Sequence, residues 1–145
     1  MEVIRVKKIL VSLLVAFLAT GCGQVVYRVM PESPPKMGIQ EAREALERSL
    51  SLAQMPEGVK SLKLQGDELV AAGTLNPSGG GNIRANYNNI SRLVEKQGNE
   101  FAVSVYFTGM AGNKLMKLYW KSEADAKSFV DAGSVLRQGK SQDKK

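Results

Sequence analysis

Apolar positions recur along this chain with two different periods, and one early stretch has no period at all. Ile39, Ala42, Leu46, Leu50 and Ala53 return every three or four residues, while Arg43, Glu44, Glu47 and Arg48 fill the other side. That spacing predicts an amphipathic helix, supported by Glu44 four places before Arg48 and stopped near Pro56 and Gly58. The period then falls to two. Leu62 and Leu64 flank Lys63, Gly66-Asp67 makes a turn into Leu69 to Ala72, and Ile83, Ala85 and Tyr87 alternate before a weaker strand near Ile90 to Glu95. Phe101, Val103, Val105 and Phe107 form the cleanest inward row, set against Ala102, Ser104, Tyr106 and Thr108, and Met116, Leu118 and Trp120 oppose Lys117, Tyr119 and Lys121. Alternation this regular predicts antiparallel sheet wet on one face. After Ser122 the helical period returns. Asp125 stands three residues on as in a capping box, Ala126, Phe129, Val130, Gly133 and Leu136 share a face, and Gly139 is placed to end the helix.

These elements predict an α+β fold in which an N-terminal amphipathic helix is followed by an antiparallel bent sheet or partial barrel of about five to seven strands, with a C-terminal helix packed on it. The globular domain is expected at 39–138, with 139–145 a disordered polar tail. From Gly23 to Gly38 no periodicity is sustained, and Pro31, Pro34 and Pro35 give the segment polyproline character. Residues 22–38 therefore read as a tether that could lift the domain about 45 to 50 Å. Within it, Val25, Val26 and Tyr27 are open to two readings, an interfacial patch or an edge strand.

The unbroken apolar stretch is Ile9 to Leu18, preceded by Arg5, Lys7 and Lys8 and followed by the small residues Ala19, Thr20 and Gly21. These are the three parts of a secretory signal, and the run is about half of the ~20 residues that a spanning helix needs. Cys22 comes next and is the only cysteine. Ala19-Thr20-Gly21-Cys22 resembles the lipobox of bacterial lipoprotein precursors, with Ala19 where leucine is commonest. The resemblance implies that residues 1–21 are a signal peptide removed before Cys22, that Cys22 is acylated, and that the membrane is a partner through this lipid anchor in the cell envelope. Gly23 implies outer-membrane sorting, facing the periplasm, in a Gram-negative host. An unpaired thiol in an oxidising compartment is the awkward alternative.

A second resemblance lies in Leu64-Gln65-Gly66-Asp67-Glu68-Leu69, in Ile83 through Ile90, and in Leu118-Tyr119-Trp120-Lys121-Ser122-Glu123-Ala124, a strand running straight into a helix. Over roughly residues 59 to 138 this pattern resembles small bacterial pleckstrin-homology and GRAM-like domains, which implies a bent sheet plugged by the last helix. Phosphoinositide binding is not carried over, because the first-hairpin basic cluster is reduced to Lys60 and Lys63.

Composition mainly removes possibilities. The 145 residues include no histidine, so Ser-His-Asp and Cys-His arrangements and the usual zinc sites are excluded, and no cofactor is expected. Without residues 1–21 the chain keeps 17 basic and 13 acidic side chains, a net charge of +4. So mild an excess suits anionic lipid or polymer surfaces, or simply a solvated surface, and nucleic acid is not expected as a partner. Asp67-Glu68 and Glu123 with Asp125 have turn and helix-start roles available. Gly139-Lys140-Ser141 follows a helix, which a phosphate loop does not, and Ser33-Pro34-Pro35-Lys36 carries two prolines where a catalytic Ser-x-x-Lys needs a helical turn. Asn76 to Asn82 and Gly109 to Asn113 read as glycine-rich hairpin loops.

The remaining candidate is a surface. Tyr106, Lys117, Tyr119 and Lys121 would share the outer sheet face if their strands pair directly, and aromatics with basic neighbours suit an envelope protein, a glycan or a lipid head group. Cross-strand packing, or cover from the first helix, is the plainer alternative. The expectation is a membrane-anchored, non-enzymatic interaction module; a carrier or sensor of a lipid or small apolar ligand is the alternative.

Overall fold

The three-and-four spacing from Ile39 onward becomes helix α1 (Ile39–Leu52), whose buried side is Ala42, Ala45, Leu46, Ser49 and Leu50. It stops where the Ala53 N–H turns back onto the carbonyls of Ser49 and Leu50, three residues before Pro56. A computed structural model describes residues 23–30, 35–73, 81–109 and 112–142. Before α1 comes β1 (Gln24–Arg28); after it come β2 (Val59–Gln65), β3 (Glu68–Gly73), β4 (Gly81–Asn86), a 3-10 turn (Tyr87–Asn89), β5 (Leu93–Gln97), β6 (Glu100–Phe107), β7 (Lys114–Trp120) and α2 (Glu123–Gln142).

The α+β class is as expected, but the strands do not form one bent sheet. They divide into a four-stranded sheet ordered β1-β5-β6-β7 and a three-stranded sheet ordered β2-β3-β4, all antiparallel and without barrel closure. The two sheets touch where Arg84 and Thr108 exchange backbone hydrogen bonds, each 2.8 Å. The chain leaves β4 through the 3-10 turn, opened by the Asn86 side chain accepting the Asn88 N–H at 2.9 Å. Ile90 therefore ends a turn, and the weak strand begins three residues later, at Leu93.

Three expected boundaries move. The first described element is a strand, so α1 is not the N-terminal element. Gln24–Arg28 pairs with β5, and Val29 behind it is buried with its N–H on the Arg92 carbonyl at 2.9 Å. The domain thus starts at residue 24 instead of 39, and Val25, Val26 and Tyr27 take the edge-strand alternative. At the other end α2 passes through Gly139 to Gln142, so the polar tail expected from 139 is helical that far; 143–145 lie outside the described residues. Gly139 does not cap the helix because it lies under α1: a Cβ there would come within 2.8 Å of Ile39 Cδ1.

The inward rows of both sheets and the facing sides of the helices make one core. Trp120, Phe107, Phe129, Leu46, Leu69, Ile83 and Leu118 are its largest buried members. Trp120 joins its parts. Its ring lies 5.0 Å from that of Phe129, and its Nε1 donates to the Ser49 carbonyl of α1 at 2.7 Å. Burying an indole N–H without an acceptor is costly, so this bond fixes where the end of α1 sits against β7.

Candidate functional site

Direct pairing of β6 with β7 settles which side chains share the outer face of the larger sheet. The register sets Ala102 against Tyr119, Ser104 against Lys117 and Tyr106 against Leu115, while β5 sets Glu95 against Ala102 and β1 sets Val25 against Glu95. Paired residues point the same way. The face therefore holds Tyr106, Lys117 and Tyr119 together, as expected, and adds Val25 and Leu115. Lys121 lies just beyond the end of β7 and is exposed.

The face is partly tied down. Lys117 Nζ lies 3.4 Å from Glu95 Oε2, and the Tyr119 hydroxyl donates to Gln97 Oε1 at 3.2 Å. Its open part is apolar: Val25 is 45 % exposed, Tyr106 42 % and Leu115 62 %. Leu115 is missing from the sequence-based list, although the period of two that picks out Lys117 and Tyr119 reaches it one step earlier. Helix α1 packs on α2 and near β2, so this face is not the one it covers.

Strand β1 meets the rest of the fold through a polar latch. The Tyr27 hydroxyl donates to Asp131 Oδ1 of α2 at 2.6 Å, and Lys127 Nζ stands 5.2 Å above the Tyr27 ring. Burial, then the hydrogen bond and the charge of Asp131, push the Tyr27 phenol up to about 12. Arg137, six residues further along α2, donates to the carbonyls of Tyr87 and Ile90 at 2.8 and 2.6 Å and so holds the 3-10 turn. Burial, with Arg92 adding to it, lowers its pKa. Neither group was visible in the sequence, because both roles need α2 laid across the sheet.

Three of the carboxylates singled out beforehand sit in surface ion pairs, Asp67 with Arg43 at 3.4 Å, Glu68 with Arg84 at 3.2 Å and Glu123 with Lys127 at 3.2 Å, while Asp125 lies in the first turn of α2. Among the described residues no group of three or more His, Cys, Asp or Glu is placed to hold a metal ion. The end of the first glycine-rich loop lies beside the start of the second, since a Cβ on Gly109 would come within 2.9 Å of the Asn82 carbonyl oxygen; residues 74–80 and 110–111 lie outside the described residues. A cleft of about 280 Å³ opens between α1 and β2, lined by Glu47, Leu50, Ser51, Leu62, Lys63 and Leu64. Cys22 lies outside the described residues, and no described helix is long and apolar enough to cross a membrane. No protein-family model, no curated protein and no solved structure matches the chain.

Proposed function

We propose that this chain is a bacterial envelope lipoprotein: a domain anchored through acylated Cys22 that acts as a non-enzymatic interaction module. The observation that carries this reading is the signal-like segment 1–21 running into Ala19-Thr20-Gly21-Cys22. Each buried methylene of an acyl chain contributes ~0.8 kcal/mol, so two or three chains make the attachment effectively permanent. Gly23 favours the outer membrane, facing the periplasm, in a Gram-negative host. The finer architecture we propose is pleckstrin-homology-like, in keeping with seven strands in two antiparallel sheets and α2 against the inner face of the larger one. Expression in a bacterial host followed by intact-mass measurement of the membrane-extracted protein tests the anchor. Diacylglyceryl and amide-linked acyl mass on a chain beginning at Cys22 is expected, and an unmodified cysteine overturns it.

A carrier or sensor of a lipid or small apolar ligand is the second reading, favoured by the cleft beside Leu50, Leu62 and Leu64. At about 280 Å³ it lies just under the usual range of ligand pockets, ~300 to 1,000 Å³, and suits a single short acyl or aromatic group. Extraction of purified, Cys22→Ser protein with organic solvent distinguishes the two, since a carrier releases a stoichiometric apolar molecule and an interaction module does not.

A further inference from the structure

We infer that the domain lies flat on the bilayer, with the outer face of the β1-β5-β6-β7 sheet against the lipid headgroups. This deepens, and rests on, the reading of Cys22 as the acylated residue. The first argument is length. Gln24 is already paired with Lys96 in the sheet, and a Cβ on Gly23 would touch the Gln97 and Glu95 side chains at 3.0 Å. From Cys22 to Gln24 the chain can span at most about 7 Å. The headgroup layer of one leaflet is itself ~5 to 7 Å deep, so a cysteine whose acyl chains are in the membrane leaves the β1 corner no room to rise clear of it.

The second argument is which surface that corner belongs to. Glu95 and Gln97, the neighbours of Gly23, are outer-face residues of β5, and Val25, two residues after Gly23, is exposed on the same face as Tyr106 and Leu115. Tyr106 and Leu115 stand about 17 Å along the strands from the anchored end, within reach of the same headgroup plane if the face lies flat. An exposed tyrosine and leucine beside lysines is the composition such a layer selects, with ring and stem in the acyl boundary and hydroxyl or ammonium in the headgroups.

Charge points the same way. On this face Glu95 is offset by Lys117, Glu100 accepts a hydrogen bond from Gln54, and Arg28 and Lys121 stand exposed at its margins. The outward side of α1 instead presents Glu41, Glu44 and Glu47 among Arg43 and Arg48, without the apolar centre that the sheet face has. A basic margin around an apolar centre fits phosphatidylglycerol-type headgroups.

Site-directed labelling of the full acylated protein in phosphatidylethanolamine/phosphatidylglycerol vesicles tests this. Acylation consumes Cys22, so Tyr106→Cys and Leu115→Cys each place one free thiol on the face, with Glu44→Cys on α1 as the control. All three positions are exposed, so the substitutions leave the core untouched. A membrane-impermeant maleimide should react about tenfold or more slowly at positions 106 and 115 than at 44. Equal rates at all three, with acyl chains confirmed on Cys22 by mass, overturn the flat orientation and leave the anchor standing. A Cys22 without acyl chains overturns both. Protection that appears only after an envelope protein extract is added assigns the face to a protein and overturns the lipid assignment.

Discussion

Replacing Tyr27 by Phe removes one oxygen from the contact that holds β1 to α2 and leaves the ring under Lys127 in place. The bond lost is 2.6 Å long and is made to a carboxylate. Hydrogen bonds to charged groups contribute ~1.5 to 3 kcal/mol, and because Asp131 is only part-buried and water replaces the phenol, the loss falls at or just below that range, about 1 to 1.5 kcal/mol. The loss should be local. Among the described residues β1 is an edge strand paired with β5 alone, and its register is already broken by an irregularity between Val25 and Tyr27. Native-state hydrogen exchange on Tyr27→Phe should show the β1 and β5 amides exchanging about five- to tenfold faster, with the β6–β7 ladder changed much less. In a double-mutant cycle with Asp131→Asn, the coupling energy should be about 1 kcal/mol. Unchanged exchange in β1 and β5, or strictly additive substitutions, would refute the latch. Acceleration of every amide alike would show instead that β1 opens only with the whole domain.

The same phenol predicts an alkaline limit. Its folded pKa of about 12 stands above the ordinary 10.0, so its contribution is complete below pH 10.0 and is lost as the phenolate forms towards pH 12; Tyr27→Phe should flatten thermal stability against pH across that window. The flattening should be partial, since burial also raises the Tyr87 phenol. Trp120→Phe should cost about 2 kcal/mol, the hydrogen bond and the lost ring volume together, and lower Tm by roughly 8 °C in a calorimetric scan. The Ser49 carbonyl still accepts from the Ala53 N–H at 3.1 Å, so no buried acceptor is orphaned and the protein should still fold. Gly73→Ala should be far more severe, about 3 kcal/mol or more, because φ is +154° and the new Cβ would fall within 2.1 Å of the Gly58 carbonyl oxygen; soluble yield and urea midpoint read it.

Local periodicity carried the elements it could specify. β6 and β7 were legible because their inward rows alternate without a break, and α1 because a helical stripe is written within four turns. Division into two sheets was not legible, since it depends on a strand choosing a partner far away in sequence. β1 pairs with β5 some seventy residues on, and among the described residues the sheets meet through one bridge, Arg84 with Thr108. Nothing in the alternation of Ile83 and Ala85 records that Thr108 will lie beside them. Gly139 misled for a related reason. Alone it is a good stop signal, but in the fold it lies where α2 passes α1, with the end of the Ile39 side chain against it.

The candidate face was half legible, and the half that was missed changes its meaning. A period of two placed Tyr106, Lys117 and Tyr119 together, yet composition made residues 22–38 a leash, and a leashed domain could point that face anywhere. The prolines that suggested the leash, Pro31, Pro34 and Pro35, come after β1 and not before it. They join the first strand to α1, inside the domain, where added length cannot lift it from an anchor at residue 22. Only β1 stands between that anchor and the fold, and an antiparallel ladder does not stretch. Reach could be restored only by breaking the β1–β5 pairing and the Tyr27–Asp131 bond together, which is why the strength of that latch decides how far from the membrane this domain can act.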